Sequence, residues 1–328
     1  MFAVLEEILY WRRTLLFLTA VALVAFTGVW LRNGVYGVNL VLRHGGTFWL
    51  PINPDSPRVS PSMRLAWSGN LPQATAGTFA WHSVAIGFEA ADMPVIVGGN
   101  VVDHILLARI DPKHYRFAIR NEPSGDHDLD QWMADLGAAL VVNGSYYGRY
   151  GEPATPVLSD GHALGPQKYD GRGGAFVAST DFVGIRNLTH ENWRVAFGGA
   201  RDAMISFPLL LAESKAQAIK PSDWLANRSF VAEDTNGKIV IGTTTDAFFS
   251  LARLATFLKA VPLDLTLALN LDGGGVACQG IAINGFQRRS YGQWEAQVDG
   301  KKGYLGVVPY GESPMPVVLA LFPIDTKH

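Results

Sequence analysis

From Thr14 to Leu31 the chain runs eighteen residues without a charge, "TLLFLTAVALVAFTGVWL", and this stretch limits what the chain can become more than any other. About 20 apolar residues cross a bilayer and about 17 suffice. Inside hydrocarbon the backbone must satisfy its own hydrogen bonds, which restricts a lone segment to a helix. The run is apolar all round, whereas a core helix on the surface of a soluble domain keeps a polar face. Arg12 and Arg13 precede it and only Arg32 closely follows. The positive-inside tendency therefore predicts a cytoplasmic stretch over 1–13, a single-pass anchor over 14–31 in the inner (cytoplasmic) membrane, and an exported body, periplasmic or extracellular. The "AVA" at Ala20 to Ala22 has the small-residue form of a signal-peptide cleavage site, but the apolar run continues past it to Leu31, which favours the uncleaved anchor.

The rest of the 328 residues, 48% hydrophobic overall, holds enough apolar material for a sizeable core. Lys and Arg number 27 against 29 Asp and Glu, so no global basic field invites nucleic acid, and no nucleic-acid partner is expected. One cysteine permits no internal disulfide. Four prolines in "PINPDSPRVSPSM" favour extended backbone, so 32–75 reads as a connector and 76–328 as one domain without internal repeats. "HILLARID" (104–111) and "YRFAIRNE" (115–122) read as a strand pair across a Pro-Lys-His turn. The 128–139 stretch reads as a short helix with Leu129, Trp132, Met133 and Leu136 on one face and Gly137 as its stop. Asn236-Gly237 and Asn284-Gly285 each separate two strand-like runs, a strong hairpin signal. A second helix is predicted over 247–260, ended by Pro262, and "MPVVLALFP" is a buried closing strand. The fold class is α+β: a strand-rich single globular domain with a few helices, behind an N-terminal transmembrane helix.

Two apolar strands end in residues suited to chemistry. "LDLTLALNLDGGG" carries Asn270 and Asp272 into Gly273, Gly274 and Gly275, where glycines allow backbone closed to other residues and bring N–H groups near a ligand. On its own the motif reads more simply as a glycine-rich turn in which Asp272 caps itself. "ALVVNGSYYG" ends in Asn143 and Gly144, followed by Tyr146 and Tyr147, a set able to hydrogen-bond sugar hydroxyls and wall them with a ring. A third strand begins at Arg228 in "NRSFVAED", where a planar guanidinium fork matches phosphate oxygens. Cys278 lies near the glycines, yet no histidine pairs with it recognisably, and a packed small residue is the better reading. The histidines are too scattered for metal-ligand spacing.

In this order, "VVNGSYY", "NRSFVAEDTNGKIVI", a helix and "LALNLDGGG" resemble the phosphodiester glycosidase family, over roughly 104–323. The matching positions are Asn143, Gly144, Arg228, Ser229, Asn270, Asp272 and Gly273 to Gly275. The resemblance implies hydrolysis or transfer of a sugar-1-phosphodiester in an envelope glycan or exopolysaccharide. It implies catalytic Asp272, Arg228 and Asn143, with substrate held by Gly144, Tyr146, Asn270, Gly273, Gly274 and Gly275. Arg228 and the glycine N–H groups would take the phosphate and Asn143 the sugar hydroxyls. No cofactor or resident metal is expected, with a divalent cation at Asp272 left open. The second carboxylate of a glycosidase pair stays unassigned: Glu233, Asp234 and Asp246 are near in sequence, but Asp234 suits a hairpin turn and Asp246 a helix cap. Val276 stands where relatives usually carry Ser, and Arg253 where the helix often carries Glu. These departures motivate the alternative of a non-catalytic glycan-binding or polysaccharide-assembly protein of the same fold.

Overall fold

The computed structural model describes residues 2–33, 48–69, 71–122, 124, 126–148, 150–307 and 313–324. The first helix spans Phe2–Asn33, and its Tyr10–Gly28 stretch, with mean hydropathy 1.2 and no part buried against the protein, is long and apolar enough to cross a membrane. Thr14 and Thr19 donate their hydroxyls back to Tyr10 O and Leu15 O, which hides those polar groups within the helix. Residues 34–47 of the expected connector lie outside the described residues. Its later part is structured: Phe48–Ile52 pairs antiparallel with Lys302–Val307, and Pro61–Trp67 is a helix capped by Ser60. Pro51 is tolerated because its strand is the edge of its sheet.

Among the described residues the strands form four sheets. The largest, of nine strands, runs through the middle and contains Leu265–Asn270, Ser229–Asp234, Ile239–Thr244, Asn100–Ile110 and Phe88–Val97 as neighbours in that order. Both of its faces are buried, which explains why its strands are apolar without alternation. Ile105 and Leu107 point into one core with Phe248, Phe249 and Phe257, while Leu106, Ala108 and Ile110 point into another with Phe117, Phe176 and Ile281. A five-stranded sheet in the order Phe286–Ser290, Gln279–Ile283, Leu140–Asn143, Val317–Pro323, Tyr115–Asn121 closes the second core. The helix Leu251–Ala260 covers the first core, and a four-stranded sheet holding Trp224–Ala226 and Glu295–Asp299 shares it.

Local signals fall where the sequence puts them. Asp128 and Gln131 form a capping box on Leu129–Leu136, and Gly137 ends that helix in the left-handed region. Asn284 and Gly285 both take positive φ in their hairpin turn, with Gly285 at 78°. The expected pairing of the 104–111 and 115–122 stretches is not formed. Asn100–Ile110 pairs with Phe88–Val97 and Ile239–Thr244, whereas Tyr115–Asn121 pairs with Val317–Pro323 in the other sheet. The Asp111–His114 turn therefore carries the chain from one sheet to the next, a choice set by which face each strand must bury.

Candidate active site

The loop after Leu265–Asn270 crosses from the large sheet to the five-stranded one, and at its start its backbone is tied first to the one sheet and then to the end of a strand of the other. Leu271 N donates to Ser229 O (3.0 Å), and Asp272 N donates to Gly144 O (3.0 Å). Asn143 Nδ2 donates to Asp272 O at 2.8 Å. Both main-chain groups of Asp272 are thus held by the end of Leu140–Asn143, so two strand ends distant in sequence fix one carboxylate. Asn143 is 1% exposed, and its amide donors go to Asp272 O and Gly144 O, so it serves the loop from beneath. Gly144 is needed for a packing reason: a Cβ there would stand 2.7 Å from Val317 Cγ1.

The glycines after Asp272 make room for side chains. Gly273 N donates to Asp272 Oδ1 at 2.8 Å and Gly274 N donates to Asn227 O at 2.9 Å. Those two N–H groups are therefore taken, and the cradle of free N–H groups expected for phosphate does not form at Gly273 and Gly274. A Cβ at Gly273 would lie 3.0 Å from Arg228 Nη1, and a Cβ at Gly274, whose φ is +74°, would lie 3.0 Å from Glu295 Oε2. The missing side chains let an arginine and a glutamate close on the Asp272 loop. Gly275 contributes its carbonyl to Cys278 Sγ at 3.5 Å, and buried Cys278 also accepts from Gly292 N.

Arg228 is buried, with Nε donating to Phe249 O and Nη2 to Trp224 O, each at 3.2 Å. Burial pulls its pKa down, and the nearby Tyr146, Glu295 and Asp272 oppose that pull. Asp272 and Glu295 are both half-buried. Burial raises Asp272 to about 6, with the Gly273 N–H and the Arg228 charge working against the rise. Burial and then the Asp272 charge raise Glu295 to about 7, with Arg228 opposing. Two carboxylates and one guanidinium thus sense one another in a recess where each costs energy to charge. Asn227 locks this arrangement: its Oδ1 accepts from Gln293 N (3.0 Å) and Trp294 N (2.8 Å), and its Nδ2 donates to Thr244 O (3.0 Å). Its own backbone N donates to Trp294 O at 3.0 Å.

Tyr146 stacks on Phe207 with centroids 4.3 Å apart, donates its hydroxyl to Phe207 O (2.8 Å) and accepts from Asn270 Nδ2 (2.9 Å). Asn270 is fully buried and also donates to Leu271 O, so it braces the ring and the loop. Burial, Asp272 and Glu295 all raise the Tyr147 phenol, which places that hydroxyl within electrostatic reach of the carboxylate pair.

Sequence reasoning missed Glu295. It lies at the start of Glu295–Asp299, opposite Ala226 and hence beside Asn227 and Arg228, in a stretch with no glycine motif of its own. The three acids that follow Arg228 more closely in sequence are engaged elsewhere. Glu233 accepts from Ile185 N, and Asp234 accepts from Asn236 N and Lys238 N in its turn. Asp246 does not cap the second helix: Ser250 does, and Asp246 accepts from Ser60 Oγ (2.7 Å) instead. Among the described residues no group of three or more His, Cys, Asp and Glu comes together to hold a metal ion.

Residues 136–292 match the family described as phosphodiester glycosidase. The stretch contains Asn143, Arg228, Asn270 and Asp272, and it stops just short of Glu295. No curated protein sequence matches the chain. Among solved structures it is similar to the catalytic domain, auto-inhibited by its pro-peptide, of zebrafish N-acetylglucosamine-1-phosphodiester alpha-N-acetylglucosaminidase. That similarity has 17% identity over 77% of this chain and 84% of that one, with a TM-score of 0.49. A hypothetical protein from Synechocystis is similar at 14% identity over 78% of this chain and 68% of that one, with a TM-score of 0.47.

Proposed function

From a chain whose residues 136–292 match the phosphodiester glycosidases, we propose a hydrolase that cleaves a sugar-1-phosphodiester bond, with Asp272 and Glu295 as its carboxylate pair. The observation that carries this reading is the pairing itself: two recessed carboxyls, raised to about 6 and about 7, beside a buried arginine. Near neutral pH the first is mostly ionised and the second holds much of its proton, the division of labour that glycoside cleavage uses. The bond from the anomeric carbon to the phosphoryl oxygen breaks with positive charge growing on the sugar ring and negative charge on the departing phosphate.

Ionised Asp272 stabilises the sugar cation or orients the water that attacks it. Protonated Glu295 gives its proton to the leaving oxygen, and Arg228 offsets the phosphate charge. Two of the three nitrogens of Arg228 are already bound to carbonyls, so Nη1 beside Gly273 is the one left to meet a phosphoryl oxygen. The Tyr146–Phe207 stack, with Phe207 39% exposed, offers an aromatic surface to a sugar. A phosphate-linked envelope glycan is the substrate class, met outside the inner membrane to which the N-terminal helix anchors the domain.

The test incubates the full chain with a panel of sugar-1-phosphodiesters and matching simple glycosides and measures released sugar. Release from phosphodiesters alone, lost in Asp272→Asn, is the expected result. Binding to envelope glycans with no release from any substrate would move the chain to the non-catalytic class.

A further inference from the structure

Away from the carboxylate recess, a groove of about 610 Å³ opens between the helices Pro61–Trp67 and Leu251–Ala260 and the segment before Trp224–Ala226. Pockets that bury most of a small molecule are of this size, about 300–1,000 Å³. Leu71, Pro72, Ala252 and Val298 give it apolar walls that still meet solvent, and Arg253 enters from the helix. None of Asp272, Glu295, Arg228 or Tyr146 lines it.

Arg253 is the unusual member. It is half-buried, its Nη1 donates to Ala66 O at 2.8 Å, and its guanidinium lies 5.8 Å from the centre of the Phe248 ring. Arg109, Arg120, Arg186, Arg201 and Arg289 each meet a carboxylate, whereas none of the ion pairs among the described residues includes Arg253. Among the described residues Asp223 is the one carboxylate in the lining; it is exposed on the rim. Burial lowers the pKa of Arg253 and no acid offsets it. A half-buried cation answered only by a carbonyl and a ring face is short of a counter-charge.

The geometry points to a second ligand site in this groove, which takes a small amphipathic anion, its phosphate or carboxylate head on Arg253 and its apolar tail along Leu71, Ala252 and Val298. A headless alkyl group would leave the guanidinium unanswered, and a bare phosphate would leave the apolar walls in water. The site therefore needs both parts of its ligand. This inference stands apart from the reading of the carboxylate pair.

The experiment titrates the full chain, held in phosphatidylcholine nanodiscs, with hexyl phosphate by calorimetry. Hexanol and inorganic phosphate serve as the headless and tailless controls, and empty nanodiscs as the blank. Saturable binding of hexyl phosphate at one site, at least tenfold tighter than either control, is expected. Arg253→Met should weaken it at least tenfold. Thr256→Trp, which fills the groove from an exposed position and leaves the arginine in place, should do the same, while Asp272→Asn leaves binding unchanged. No saturable binding, equal binding by wild type and both groove variants, or loss of binding in Asp272→Asn alone would each overturn the assignment. The last result would put the ligand in the carboxylate recess. Because binding is read without turnover, an inactive enzyme with an intact groove refutes the proposed function and not this site.

Discussion

Replacing Asp272 by Asn should stabilise the folded protein at alkaline pH, and the structure sets the size. The carboxyl rises from 3.8 to about 6 on folding because burial outweighs the Gly273 N–H and Arg228. A carboxyl with a raised folded pKa binds more protons folded than unfolded across that interval. Its contribution to stability is therefore whole below about pH 4 and lost as pH climbs through 6. At about 1.4 kcal/mol per pH unit, charging Asp272 in place costs the wild type about 1 kcal/mol at pH 4.5 and about 3 kcal/mol at pH 8. The amide carries no such cost at either pH. The stability of Asp272→Asn relative to wild type should then rise by about 2 kcal/mol between those pH values, which for a domain of this size is roughly 5 °C in Tm. Scanning calorimetry of both proteins at pH 4.5 and pH 8 reads it directly. A difference in Tm that stays flat with pH, or that shrinks towards pH 8, would refute the claim that Asp272 is ionised against the preference of its surroundings. A carboxylate held this way costs stability, a cost that proteins accept where a group serves function.

Four more outcomes follow from the same geometry. Gly274→Ala would set a Cβ about 3 Å from Glu295 Oε2 at a φ of +74°; turnover should fall at least tenfold with a loss of about 1–3 kcal/mol in stability, checked by kinetics and thermal melts. Asn227→Leu leaves the Gln293 and Trp294 N–H groups without their acceptor, so it should cost about 2–4 kcal/mol and loosen Glu295. Asn227→Asp keeps the acceptor but turns the donor to Thr244 O into an oxygen facing a carbonyl and buries a charge, so it should not restore the stability. Arg228→Lys keeps the charge but loses the bonds to Phe249 O and Trp224 O; a fall in kcat/KM of tenfold or more on phosphodiesters is expected. A periplasm-dependent reporter fused after Leu50 should be active, and silence would reverse the topology.

The elements and half of the site were legible in the sequence because their causes are local. Asn143 and Asp272 stand at the ends of apolar runs beside glycines where a Cβ would crowd a neighbour, and a strand end next to glycine is a signal that needs no knowledge of the partner strand. Arg228 was visible as a cation opening an apolar strand. Glu295 was not, since it owes its place to register: Ala226 faces Glu295 across two strands some seventy positions apart, and "GQWEAQ" looks like any half-polar strand. One signal was available in retrospect. Three successive glycines do more than a turn requires, and the reason is that two of them clear space for Arg228 and Glu295. That the Gly273 and Gly274 N–H groups are engaged is hidden from the sequence for a related reason. Whether an N–H is free depends on what else reaches it, and Asn227 O, which takes Gly274 N, comes from the link between Trp224–Ala226 and Ser229–Asp234. The same limit hid the sheet change at Asp111–His114, where two good strands with a good turn between them belong to different sheets.

The most direct test of the carboxylate pair is the pH dependence of kcat/KM on a sugar-1-phosphodiester, for wild type and Glu295→Gln. The wild type should give a narrow bell, falling below about 6 as Asp272 takes a proton and above about 7 as Glu295 loses its own. Because a phosphate leaves without much help, Glu295→Gln should lose less than the about 10²–10⁴-fold that a general acid usually supplies, with the acid limb intact and the alkaline limb gone. An alkaline limb that persists in Glu295→Gln would show that another group supplies the proton and would contradict the account.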